Sequence, residues 1–467
     1  MSAPPDGEAE ADDVIVELPL LTHRGTHSTR ARETLYGIDG GPVASLSLSP
    51  DLLISQSLIA QKRAAPLSPD ERAERLSEAS RRFLDDVLGG LSFTEHCAYV
   101  NRVSGHNVPL TEALSRAVAV AIAEAPVRAD RARPTGSLRS WEEARDGAGS
   151  GVWTRRGETL AAVLSGNAPT IQNGWLQALA LGYRVAVRPS RREPFTAYRV
   201  VHALRAAGFP DTAAVYLPTA HQGVSTLLGR ADLGLAYGGA DLASTYGSSP
   251  QIKVGGPGRS KTLVTQDRVS STTLSSVAES VTALSGAACV NTTAVLVEGD
   301  HEQFARDLAG VLRDLTGARQ TTDRHLGPRV PRESADALIG YLTRSASHAR
   351  AEIPLQEVAT PHPDGGVVLG PAVFSVPDPY DRLIGTELPF PCVWVAPWTK
   401  ADGVGPFRES LVVNAITQDA DLIGALLREP GVGNVHINAP TVHSDGNLPH
   451  EGYVGDFLMR NKAVVSR

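Results

Sequence analysis

Cysteine is scarce in this chain: 467 residues contain three, Cys97, Cys289 and Cys392. An odd number at wide spacing offers neither a disulfide framework nor a CxxC metal site, and no metal centre is expected. No apolar run approaches the roughly 20 residues that a membrane helix needs. The opening MSAPPDGEAEADD is acidic and lacks the basic and apolar regions of a signal peptide. Basic patches are missing too. The net charge is −7 with both signs mixed along the chain, so nucleic acid is not an expected partner. Lysine is rare, five against 39 arginines, which makes each lysine conspicuous. These absences leave a soluble cytoplasmic protein as the expectation. Its hydrophobic content of 42% and charged content of 20% are those of a globular chain. Its length suggests two or three domains.

What is present is a rhythm. Residues 1–30 read as a loose tail, and residues 50–125 as helical. Ser68, with Glu71 three residues on, is a candidate N-cap. Asp130–Gly151 reads as a polar connection. From Thr159 short apolar runs alternate with helix patterns. Strands are expected at Thr159–Leu164, Tyr183–Val187, Ala213–Leu217 and Leu233–Tyr237, with helices between them. This pattern reads as βαβ units building a parallel sheet, which binds ligands beyond the carboxyl ends of its strands. A second α/β stretch follows Gly255. Strands are expected at Lys261–Val264, Thr293–Glu298, Val367–Val376, Val393–Ala396, Leu411–Ile416 and Val435–Asn438. Residues 317–333 read as a loop.

Six segments carry the chemistry: SGNAP (165–169), VAVRPS (185–190), LAYGG (235–239), KVGGPG (253–258), SGAACVNTTAVLVE (285–298) and TELPFPC (386–392). In this order and spacing they resemble the aldehyde dehydrogenase superfamily. The resemblance is good over 150–300, loose over 380–440, and undiagnostic in the N-terminal third. It implies an α/β fold of two doubly wound Rossmann-type domains with a small β oligomerisation element. The implied division is a tail over 1–30, a dinucleotide-binding domain over 31–260 with an oligomerisation hairpin near 130–160, a catalytic domain over 261–440, and an oligomerisation segment over 441–467. A homodimer or homotetramer is implied.

By the same resemblance Cys289 is the nucleophile, whose thiolate adds to an aldehyde carbonyl and, after hydride loss, carries a thioester. Any lone cysteine is more often a small buried hydrophobe, and Cys97 and Cys392 keep that reading. Asn167 matches the oxyanion donor, although Gly-Asn also simply punctuates strand ends. Arg188 takes the place of a lysine that touches the cofactor ribose in the family, and Ser190 is implied to be among the cofactor-binding residues. Arg191 replaces the glutamate that accepts from a 2′-hydroxyl, with Arg192 beside it. Guanidinium groups there suit a 2′-phosphate, so NADP is expected over NAD unless both arginines are merely solvated. Gly238 and Gly239 fall at a glycine turn beside the pyrophosphate, Gly255 is implied to be among the cofactor-binding residues, and Glu387 matches a nicotinamide-ribose ligand.

One departure bears on function. Where aldehyde-oxidising members carry the glutamate that activates water, this chain has Lys253. A protonated lysine is no base at neutral pH. Together with GGPGRSK, this resembles the acylating branch, which interconverts acyl thioesters and aldehydes with coenzyme A or a carrier-protein phosphopantetheine as the thiol. Two alternatives stay open. One is oxidation to the free acid with another base, for which Glu279 and Glu298 are near in sequence only. The other is an inactive member acting as a binding protein. His436, His443 and His450 recur every seven residues in a Pro/Gly-rich stretch and read as surface or interface histidines.

Overall fold

Strands rich in Val, Leu and Ala without polar alternation are buried on both faces, as parallel sheets covered by helices require. Thr159–Val163 and Ala214–Tyr216 are such strands, buried at every position. In a computed structural model, which describes residues 15–143, 150–319 and 327–465, they belong to a seven-stranded sheet. Its order is Ile252–Gly255, Leu233–Tyr237, Thr159–Val163, Arg184–Arg188, Ala214–Tyr216, Leu20–Thr22 and Gly25–His27. The first five strands pair in parallel, and the last two are joined on by antiparallel pairings.

A second seven-stranded sheet begins where the first ends. Its order is Arg350–Ala351, Ala372–Ser375, Cys392–Pro397, Thr292–Val297, Ser260–Val264, Ser410–Ile416 and Val432–Ile437. All but the first strand pair in parallel. The chain passes between the sheets at residues 256–259. Trp175, Tyr183 and Phe195 anchor the core around the first sheet, and Trp394, Phe374 and Phe390 that of the second. The fold is the α/β architecture that the motifs implied. The helix Pro69–Asp85 starts as read, with Ser68 and Glu71 closing a reciprocal capping box.

Four expectations need correction. The loose tail fails from Val16 onward, and residues 1–14 lie outside the described residues. Val16–Leu18 pairs with Pro42–Ser47, while Leu20–Thr22 and Gly25–His27 extend the first sheet past Ala214–Tyr216. Leu18, Leu20 and Leu21 are fully buried, so apolar burial pays for ordering this short segment. The hairpin near 130–160 is not local. Its strand Ser150–Arg155 pairs with Met459–Val464 from the far end of the chain. Residues 144–149 of the expected connection lie outside the described residues. The long strand Val367–Val376 is two: Gly370 and Pro371 break it into Val367–Leu369 and Ala372–Ser375, which join different sheets. Within 317–333, residues 327–333 contribute a two-residue strand and the start of the helix Arg332–Ser345, and 320–326 lie outside the described residues.

The N-terminal strands can be tested. Leu21→Ala removes a fully buried side chain and is expected to cost about 2–5 kcal/mol. Urea denaturation measures it, and a stability within experimental error of wild type would mean that this segment is not docked.

Candidate active site

The carboxyl ends of the first sheet meet the amino ends of the second, and Cys289 lies between them. The helix Ser271–Thr282 ends in a single 3-10 turn, Ala283–Gly286. Leu284, Ser285 and Gly286 have φ of 54°, 58° and 66°. Left-handed backbone costs roughly 1–2 kcal/mol at each non-glycine residue, so contacts must hold the turn. Asn291 supplies three: its Nδ2 donates to the carbonyls of Ser280 at 3.0 Å and Ala283 at 2.8 Å, and its Oδ1 accepts from Ala288 N–H at 2.8 Å. Gly286 presses on Pro391, where a Cβ would fall 2.4 Å from the backbone nitrogen.

The half-buried Cys289 follows this turn. Gly258, on the passage between the sheets, packs against its backbone. A Cβ at Gly258 would lie 1.9 Å from the Cys289 carbonyl oxygen and 2.5 Å from its Cα. Ser260 Oγ donates to the same carbonyl at 2.9 Å. Burial first, then the negative charges of Glu451 and Glu387, push the thiol up to about 12 against the pull of the N–H groups of Cys289 and Val290. The resting site therefore holds a neutral thiol.

Asn167 reaches the same loop. Its Nδ2 donates to Ala287 O at 3.3 Å, and Ser165 Oγ donates to its Oδ1 at 2.6 Å. The buried His106 has Nε2 2.9 Å from Asn167 O and Nδ1 3.4 Å from Ser285 Oγ, and so joins both sides of the cleft. Glu387 Oε2 accepts from Gly258 N–H at 2.9 Å, and burial pushes its carboxyl up.

The residues expected to hold a nucleotide gather along the first sheet. Arg188 ends the strand Arg184–Arg188, and among the described residues its buried Nε has no hydrogen-bond partner. Burial first, and Arg191 second, lower its pKa. Arg191 Nη1 lies 3.0 Å from Glu33 Oε1. Ser190 lines the back of the Ser165–Asn167 turn, where a Cβ on Gly166 would come 2.5 Å from its Oγ. Gly238 and Gly239 follow the strand Leu233–Tyr237, and a Cβ on Gly239 would meet nothing within 4 Å. Gly255 instead sits beneath Tyr237 and Glu451, where a Cβ would come 2.5 Å and 2.7 Å from their side chains.

Two residues of the site escaped sequence reasoning. His450, read as a surface or interface histidine, has Nε2 3.3 Å from Cys289 Sγ. As a residue it stays exposed, while its ring nitrogen is crowded by protein; that burial lowers its pKa, as does Lys253, against the opposing charge of Glu451. Glu451 accepts twice: its Oε1 from Gly256 N–H at 2.8 Å and its carbonyl from Lys253 Nζ at 2.6 Å. The only sequence signal was PHEGYVGDF standing where the family has a Gly-rich turn. His436 and His443 pack on each other, with ring centroids 6.2 Å apart. Cys97 and Cys392 are buried. Glu298 accepts from Gln266 N–H at the far end of the strand Thr292–Val297, roughly 20 Å of extended chain from the nucleophile loop.

These features define a two-sheet α/β protein with a cysteine at the cleft. The aldehyde dehydrogenase family model matches residues 160–458, and the chain belongs to that family. It is 22% identical to a probable methylmalonate-semialdehyde/malonate-semialdehyde dehydrogenase [acylating], mitochondrial, of Caenorhabditis elegans, over 64% of this chain and 60% of that protein. It is 21% identical to malonate-semialdehyde dehydrogenase 1 of Geobacillus kaustophilus (strain HTA426), over 66% of this chain and 69% of that one. The matched region thus spans about three fifths to two thirds of these relatives. The fold is that of the P. syringae indole-3-acetaldehyde dehydrogenase AldA, solved in complex with NAD+ and IAA, with a TM-score of 0.82, 17% identity and 97% of each chain covered.

The packing at Gly258 yields a prediction. Gly258→Ala forces the loop that carries Cys289 to move, because the obstacle is backbone rather than a flexible side chain. A displacement near 1 Å costs on the order of 100-fold in turnover. Steady-state kinetics beside a thermal melt checks this, and wild-type turnover would show that the loop tolerates displacement.

Proposed function

We propose that this protein interconverts an aldehyde and an acyl thioester at Cys289, with a thiol rather than water exchanging the acyl group. The observation that carries the reading is Lys253. It stands where oxidising members place the water-activating glutamate, and its ammonium is engaged with the Glu451 carbonyl at 2.6 Å. A cation held this way accepts no proton from water. Without water activation an enzyme thioester survives until a thiol arrives. The word "acylating" in one relative's name agrees with this reading. Asn167 and the Cys289 N–H are the oxyanion donors in this scheme.

A nicotinamide nucleotide would accept or return the hydride. The cradle fits its phosphates: Arg188 has a buried N–H without a partner among the described residues, and Gly239 leaves open space at a strand end. Glu387 and the turn at Gly238 complete the residues that would hold it, with Ser190 behind the cradle. Arg191 favours NADP. Its Glu33 partner lies at the surface, where an ion pair is weak enough for a 2′-phosphate to displace. Coenzyme A and a carrier-protein phosphopantetheine present the same thiol. The protein's surroundings are proposed to be the cytoplasm, and its assembly a dimer or tetramer through the ribbon of Ser150–Arg155 and Met459–Val464. No helix among the described residues is long and apolar enough to cross a membrane.

A second reading has one observation behind it. Glu451 places a carboxylate near Cys289, close enough to raise the thiol, and so offers a base for hydrolysis. One experiment separates the two. Aldehydes are supplied with NADP+, with and without coenzyme A or a phosphopantetheine thiol. The thioester reading expects NADPH formation to stall after one turnover without thiol and to continue with it. Sustained formation of free acid without thiol would overturn it in favour of Glu451.

Cofactor choice has its own test. Arg191→Glu is expected to raise the KM for NADP+ at least tenfold, about 1.4 kcal/mol, while that for NAD+ falls or holds. An unchanged ratio would remove Arg191 from cofactor selection.

A further inference from the structure

We infer that His450 is a catalytic residue: its Nε2, 3.3 Å from Cys289 Sγ, takes the thiol proton as the sulfur attacks and hands it to the thiol that leaves. The inference rests on the acyl-transfer reading for the second half of that path, and on geometry alone for the first.

The geometry is built rather than incidental. His450 sits on a turn tied down at three points. Lys253 Nζ donates to the next carbonyl, that of Glu451, and Gly256 N–H donates to the Glu451 carboxylate. Asn434 Nδ2, which also reaches Leu411 O, donates to His450 O. The turn therefore cannot slide along the cleft without breaking contacts to both sheets. The groups facing the ring are Lys253 from the strand Ile252–Gly255, Glu451 from its own turn and Cys289 from the nucleophile loop. Tyr237 and Glu387 stand beyond, around Glu451 and the sulfur.

A partner for the sulfur is chemically necessary. Burial and two carboxylates keep Cys289 protonated at rest, so the site does not store a thiolate. The nucleophile must be made during attack, which calls for a base within hydrogen-bond reach. His450, held neutral by its surroundings, is free to accept. With an acyl thioester bound, Sγ bonds to the carbonyl carbon as its proton moves to Nε2. The bond from that carbon to the departing sulfur breaks, and the proton passes from Nε2 to that sulfur. One thiol and one thioester enter, one of each leaves, and no electrons are gained or lost.

The test needs neither substrate nor nucleotide. Alkylation of Cys289 by iodoacetamide in the intact protein is followed by mass spectrometry between about pH 5 and 9, a range that begins below the ordinary imidazole pKa because that of His450 is lowered. With assistance from His450, the rate rises while the imidazole loses its proton and then levels off. Without it, a thiol held near 12 reacts about tenfold faster with each pH unit across the whole range. His450→Gln keeps a polar group of similar reach but cannot take the proton. It is expected to lower the rate at pH 8 at least tenfold and to abolish the plateau. A wild-type profile climbing throughout, or a His450→Gln protein that matches wild type, would overturn the inference. The wild-type profile decides even if the variant fails to fold. Neither result touches the acyl-acceptor question, which the thiol-dependence experiment answers separately.

Discussion

The contact between Gly258 and the backbone of Cys289 is the constraint on which the site depends. The chain leaves the first sheet at Gly255 and enters the second at Ser260, and in that passage it lies against the nucleophile loop. Only a residue without Cβ allows so close an approach. The passage then serves the site in three ways. Ser260 Oγ holds the Cys289 carbonyl, Gly258 N–H holds Glu387, and Gly256 N–H holds Glu451. The cysteine is thus positioned by the joint between the two sheets. Any change in their relative placement is transmitted to the sulfur.

A second joint lies opposite. His106, buried at the junction of the helices Phe93–Ser104 and Val108–Asp130, contacts Asn167 on one side and Ser285 on the other. Asn167 ends the turn after a strand of the first sheet, and Ser285 belongs to the left-handed turn that leads to Cys289. One imidazole therefore links the turn that carries Asn167 to the loop that carries Cys289. A buried polar group that bonds in two directions specifies a single arrangement more sharply than an apolar contact of equal size.

The parts of this molecule that were readable from sequence share a physical property. Thr159–Val163, Leu233–Tyr237 and Ser260–Val264 are buried on both faces and announce themselves as short apolar runs closed by turn residues. Cys289 and Asn167 were singled out because each lies within a continuous motif. The N-terminal strands were not readable. Gly25–His27 is three residues long with little apolar character, and its pairing depends on neighbours distant in sequence. His450 was missed for a related reason. Its partner is Cys289, 161 residues away, and no periodicity reports a contact of that kind. The same holds for the ribbon of Ser150–Arg155 and Met459–Val464, whose two halves look like unrelated loose ends.

Lys253 and His450 are best understood together. A glutamate at position 253 would turn a carboxylate toward the Glu451 carbonyl, acceptor facing acceptor, and the turn would lose a tether. The lysine reverses that sign: it donates to the carbonyl and so holds the segment that presents the imidazole to the sulfur. Its positive charge also adds to burial, the larger cause, in lowering the pKa of the ring against the pull of Glu451. On the proposed thiol-exchange reading, the lysine that stands in place of the water-activating base also tethers the turn that carries His450, the proposed proton acceptor for Cys289.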